Sequence, residues 1–129
     1  MSDNKNKVYA GDCLFCKIIK GEIPSKKMYE DDDMYIFCDI DPKAPKHYLC
    51  VPKSHFKLLS EMTDEQAEML KRCLKKIPEL TELLGLEGGY RLVINQGDDA
   101  GQSVFHLHIH IRYFFHGDIP QRQHLFFRM

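Results

Sequence analysis

An α+β fold with a largely antiparallel sheet is the class this sequence predicts, on three observations. Short β-prone runs flank one strongly amphipathic helical segment over 63–77 instead of alternating with several helices. A second helical signal is confined to a few residues near the start. Late in the chain, the run from Phe105 to Ile111 alternates aliphatic or aromatic residues with histidine without a break.

Taken in order, residues 1–11 read as a flexible lead, and 12–129 as a single domain. Residues 13–20 favour a short helix that Gly21 stops. Lys27 to Glu30 is a strand candidate, and Asp31-Asp32-Asp33 is a turn whose like charges favour solvent. Met34 to Asp39 and His47 to Val51 have the β-branched and aromatic content of strands, with Pro42 and Pro45 marking their connection. Thr63 followed by Gln66 fits a capping box, and Ala67, Leu70, Leu74 and Ile77 then recur at helical spacing. Pro78 should divide that helix, since it lacks an amide proton and clashes with the preceding turn. Leu80, Leu83 and Leu84 resume the stripe until Gly85 or Gly88-Gly89 ends it. Tyr90 to Asn95 and Val104 to Phe114 are the last strand candidates, joined by a Gly- and Asp-containing loop over 96–101.

Composition removes several classes of function. With 129 residues and 43% hydrophobic content, the chain buries a core without disulfide staples. Lys plus Arg is 18 against 19 Asp plus Glu, which argues against nucleic acid as the main partner. No apolar run approaches a membrane span, and the first residues lack a signal-peptide core. A cytoplasmic location is the expectation, extended to the nucleus for a eukaryotic source. Five cysteines are an odd number, so free thiols or a metal site are the better readings than a disulfide framework.

The histidine row carries chemistry. In a strand, residues two apart share a face about 6.5–7 Å apart. His106, His108 and His110 therefore project one way, and Leu107, Ile109 and Ile111 project into the core. Such a row suits a zinc, copper or iron ion, or nucleophilic catalysis in which one imidazole attacks while its neighbours orient or protonate. The preceding Gly97, Gly101, Gln102 and Ser103 favour the second reading, because a glycine-containing loop with several donors can cradle a phosphoryl group.

These residues resemble a known family. His106-Leu107-His108-Ile109-His110-Ile111-Arg112 is similar to the His-φ-His-φ-His-φ-φ signature of the histidine triad (HIT) superfamily of nucleotide hydrolases and transferases. Asp12 to Ile19, Phe37 to Pro42, His47 to His55, Asn95-x-Gly97 and Gly101 to Val104 resemble further family segments in the right order. The nearest branch is that of the histidine triad nucleotide-binding proteins, which act as nucleoside phosphoramidases.

The resemblance implies a five-stranded antiparallel sheet, one main helix, a short N-terminal helix and a homodimer. It makes His108 the nucleophile toward the α-phosphorus of an AMP-type purine nucleotide, through a nucleotidyl-histidine intermediate. His110 would bond a phosphate oxygen, His47 would orient the triad, and Ser103 would help protonate the leaving amine. Asn95, Gly101 and Gln102 would complete the phosphate pocket, Asp39 would take the ribose hydroxyls, and Phe37 and Ile40 would line the base. Read without the resemblance, Asp39 is equally a strand-end turn carboxylate, and Phe37 and Ile40 are equally core residues. The imidazole scheme needs no cofactor, so turnover should survive chelator.

The resemblance also bears on Cys13 and Cys16, whose spacing is half a zinc site. Some bacterial members complete a structural zinc site with residues matching His55 and His106. Buried thiols are the competing reading, and Cys38, Cys50 and Cys73 read as core thiols. After Ile111 the match weakens: Arg112-Tyr113-Phe114-Phe115-His116 replaces the usual Gly-Gly-Arg, and the chain has no Trp. The aromatic tail, Phe114, Phe115, Phe126 and Phe127, suits packing on a partner subunit. Two other functions stay open: a dinucleoside polyphosphate hydrolase, and a regulatory nucleotide-binding module with vestigial activity.

Overall fold

The computed structural model describes residues 9–115. Most of the expected N-terminal lead, and His116, Phe126 and Phe127, lie outside them. The chain runs α1 (Leu14–Ile19), β1 (Lys27–Glu30), β2 (Met34–Cys38), β3 (Lys46–Pro52), α2 (Asp64–Lys76), α3 (Thr81–Leu84), β4 (Arg91–Val93) and β5 (Ile109–Tyr113). All strand pairs are antiparallel, in the order β1-β2-β3-β5-β4. This is the predicted α+β sheet of five strands with one main helix.

Strand alternation divides the interior into two layers. Met34 and Ile36 of β2, Tyr48 and Cys50 of β3, and Ile109 and Ile111 of β5 join Met69, Leu70, Cys73 and Ile77 of the helical layer. Tyr35, Phe37, Leu49 and Val51 point the other way and meet Phe15 and Ile18 of α1. Because His108 and His110 alternate with the buried isoleucines, they fall on the α1 side. Each large apolar side chain buried this way contributes about 1.5–3 kcal/mol.

Helix α2 starts as predicted. Thr63 accepts from the Gln66 amide, and the Gln66 side chain accepts from the Thr63 amide. The buried stripe, however, is Gln66, Met69, Leu70 and Cys73, while Leu74 and Leu83 face outward. The predicted stripe holds at Leu70 and Ile77 and fails at Leu74, and Gln66 is buried within it, donating to Ser54 Oγ at 3.0 Å. Pro78 ends α2, and the chain passes through a 3₁₀ turn over Ile77–Leu80 before α3. Gly85 closes α3 at φ +70°, a conformation that favours glycine.

Three further differences from the sequence reading have local causes. The acidic turn is an anchor, since Arg72 donates to both carboxylate oxygens of Asp33 at 3.0 Å and ties α2 to the sheet. The paired part of the histidine strand begins only at Ile109. Extending its register would set Leu107 opposite Pro52, which has no amide proton; the Leu107 amide donates to Phe56 O at 2.7 Å instead. The strand expected from Tyr90 to Asn95 is ladder-paired only over Arg91–Val93.

Candidate active site

The side-chain alternation of the histidine row outlasts its strand pairing. Phe15 from α1 packs edge-on against both His106 and His108, with centroids 6.1 and 5.0 Å apart, so the two rings share a face. His108 donates from Nδ1 to the His106 carbonyl at 2.8 Å, since a carbonyl only accepts. The neutral ring therefore keeps a free lone pair on Nε2. Burial pushes its pKa down and favours that uncharged form.

A second chain of bonds sets His110. The Lys43 amide donates to His47 Nδ1 at 2.9 Å, which leaves the proton of neutral His47 on Nε2. That Nε2–H donates to His110 Nδ1 at 2.9 Å, so His110 carries its own proton on Nε2. Burial lowers the pKa of His47, and burial followed by the charge fields of His108 and Arg112 takes His110 down to about 4. The result is an acceptor imidazole beside a donor imidazole, their centroids 5.0 Å apart.

Both rings border a cavity of about 390 Å³. Its apolar walls come from Phe15 and Ile18 of α1, Ile23, Phe37 of β2, Leu49 of β3 and Val104. Ser25, Asp39, Ser103, His108 and His110 supply its polar lining. A largely apolar cavity that also presents a carboxylate, hydroxyls and two imidazoles has room for a planar ring with a polar, phosphorylated extension.

Phe37, Asp39, Ile40, Ser103, His108 and His110 are thus brought together, with His47 directly behind His110. Ile40 lies at the rim and is 97% exposed. Asp39 also closes a turn, accepting the Asp41 amide on Oδ1 at 2.8 Å, while Oδ2 lies 3.4 Å from His47 Nε2. Asn95, Gly101 and Gln102 are not among the lining residues. Gln102 instead fastens the loop: it accepts the Gly97 amide at 2.8 Å and donates to Lys57 O at 3.0 Å. Sequence reasoning did not assign Phe15, Ile18 or Leu49 to the cavity, because their apolar pattern is that of any core face. The Lys43 amide carried no side-chain signal.

At the other end of the row, Cys13, Cys16, His55 and His106 offer four ligand atoms within 4.8 Å of one another. His106 Nδ1 is 3.5 Å from each sulfur and 3.3 Å from His55 Nδ1, and Cys16 Sγ is 3.6 Å from His55 Nδ1. Tetrahedral zinc with bonds of about 2.0–2.3 Å has ligand–ligand edges of roughly 3.3–3.8 Å, so these four distances fit. The surroundings agree. His106 donates from Nε2 to Pro52 O at 2.9 Å, which frees Nδ1, and backbone amides of Cys16 and Ala10 donate to Cys13 and Cys16 sulfur. Burial holds the uncomplexed Cys16 thiol up to about 11, so a cation must displace its proton. Of the remaining cysteines, Cys50 and Cys73 are buried and Cys38 is half-buried, close to the expected core thiols.

Comparison with known proteins shows a family. Residues 12–122 match the family model described as scavenger mRNA decapping enzyme C-term binding. The protein HitA of Neisseria gonorrhoeae is 46% identical over 99 residues, covering 77% of this chain and 92% of that protein. A HIT family hydrolase from Clostridium thermocellum superposes with a TM-score of 0.76 at 43% identity, covering 81% of this chain and 92% of that one. A histidine triad nucleotide-binding protein from Candida albicans gives a TM-score of 0.70 at 40% identity, covering 78% and 73%.

Proposed function

The chain belongs to the histidine triad superfamily, and from that premise we propose that it hydrolyses purine nucleoside 5′-phosphoramidates to the monophosphate. The observation that carries the reading is the pair of opposed tautomers, a free Nε2 lone pair on His108 beside an Nε2–H on His110.

In this mechanism the base lies between Phe15, Ile18 and Phe37, and Asp39 takes the ribose hydroxyls. Nε2 of His108 attacks the α-phosphorus and forms a P–N bond as the bond to the leaving amine breaks. His110 donates to a phosphoryl oxygen and shares its developing charge. Ser103, in the lining of the same cavity, supports protonation of the departing nitrogen. Water then displaces His108 from phosphorus, giving the nucleoside monophosphate and the free imidazole. His47 holds the aim of His110 throughout.

The scheme draws no step from a metal. Zinc on Cys13, Cys16, His55 and His106 would be closed and structural, tying α1 to the histidine row. The unit is taken as one domain over 12–129, acting as a cytoplasmic homodimer. Exposed Leu92 on edge strand β4 and exposed Phe115 support the dimer. Among the described residues, no helix is long and apolar enough to cross a membrane.

The test is release of AMP from adenosine phosphoramidate with chelator present, against diadenosine polyphosphate in the same buffer. Chelator-resistant release from the phosphoramidate is expected. Turnover of the polyphosphate alone would overturn the substrate assignment, and turnover of neither would move the chain to a binding role.

A further inference from the structure

Arg112 stands where the family signature has an apolar residue, and the structure puts its charge inside the histidine relay. It lies directly across the sheet from His47 of β3 and from Arg91 of β4. It shares the face of His108 and His110 by strand alternation. Its Nε comes within 3.4 Å of His47 Nε2. That nitrogen already bears a proton, because the Lys43 amide occupies Nδ1. The approach is therefore of a charge and not of a hydrogen-bond donor to a lone pair.

Asp39 approaches the same nitrogen, with Oδ2 at 3.4 Å. A carboxylate at that distance invites a second proton onto an imidazole pair. A proton added at His110 Nδ1 would meet the one on His47 Nε2, break their 2.9 Å bond and free the His110 ring. The remaining charged or titratable groups around the pair are Asp41 and Lys43 in the β2–β3 loop, His108 just before β5, and Arg91 of β4 beside Arg112. Asp41 and Lys43 pair with each other at 2.7 Å, which leaves Asp39 and Arg112 as the opposed charges nearest His47.

We propose that Arg112 is a positioning residue: its guanidinium balances the Asp39 carboxylate beside His47 and so adds to burial in keeping the His47–His110 pair uncharged, with His110 aimed into the cavity. It acts through His47 and need not touch substrate. The catalytic consequence rests on the nucleotidyl-transfer reading above; the charge balance does not. The field of Arg112 on both histidines has the required sign, while burial is the larger influence on each.

The test is an NMR titration of the histidine rings in the substrate-free protein. Arg112→Leu should raise the His47–His110 midpoint by about one pH unit. Arg112→Lys, which keeps the charge, should raise it by less than half as much. Arg112→Leu combined with Asp39→Asn should return it toward wild type, because the opposing carboxylate has gone too. If Arg112→Leu fails to fold, Arg112→Gln serves in its place. Unchanged midpoints in the folded neutral variant, or equal shifts for Lys and Leu, would overturn the proposal. With phosphoramidate, the acid limb of the kcat–pH profile should move with the NMR midpoint. A titration that shifts as expected in a protein without turnover would sink the functional reading and leave the charge balance standing.

Discussion

His106 and His108 are two residues apart on one face, yet each presents the opposite ring nitrogen. His106 gives its Nε2–H to the Pro52 carbonyl and leaves Nδ1 for the sulfur cluster. His108 gives its Nδ1–H to the His106 carbonyl and leaves Nε2 for the cavity. One ring joins three converging ligands, while the other borders a cavity beside a donor imidazole. Which backbone carbonyl each ring reaches decides which nitrogen is free, and thus whether its lone pair meets the two thiols and His55 or is left beside the His110 ring.

The largest expected effect breaks the comparison at its catalytic end. His108→Ala should lower AMP release from a phosphoramidate by at least about thousandfold while nucleotide binding, read by calorimetry, persists. Residual turnover near wild type would show that the free lone pair is not the nucleophile. His47→Gln, which disturbs the aim of His110 and leaves the nucleophile in place, should cost about a hundredfold at most in kcat.

The ligand end should respond in stability. Cys16→Ser should lose stoichiometric zinc by atomic emission and lower Tm by about 10 °C. Its loss of kcat per folded molecule should be far smaller than that of His108→Ala. If the two losses match, the clusters are not functionally separate.

Acid should weaken the relay. An unfolded imidazole titrates near 6.5, whereas burial holds that of His110 at about 4. Between those values the unfolded chain binds the extra proton, so stability falls as pH drops through the window and the loss is complete below about 4. Urea unfolding at successive pH values reads this directly, and a flat profile from pH 7 to 4 would contradict it. The smallest change serves as a control remote from both clusters. Thr63→Ala removes one half of the capping box, costs about 1 kcal/mol and lowers Tm by about 4 °C.

Much of this molecule is written locally. The capping box at Thr63, the break at Pro78 and the stop at Gly85 depend on backbone chemistry within a few residues, and all three hold. Strict alternation from Phe105 to Ile111 is equally local, so the facing of the histidines was legible even where ladder pairing fails. Less legible were features set by partners distant in sequence. Gln66 is buried and bonded to Ser54, Asp33 is anchored because Arg72 reaches it, and Leu74 faces outward.

By itself, the sequence determined the α+β class, the spacing of the histidines, and which residue types were available for attack, donation and metal binding. Periodicity and side-chain chemistry are properties of the chain before it folds. The folded backbone, local and tertiary, decided the protonation pattern. The Lys43 amide, the Pro52 carbonyl and the His106 carbonyl each fill one nitrogen of a specific ring, and Asp39 and Arg112 meet across His47. A tautomer is chosen by whichever donor or acceptor lies within about 3 Å; for His47 and His108 that partner is a near neighbour in sequence, whereas Pro52 reaches His106, and Arg112 reaches His47, only through the fold.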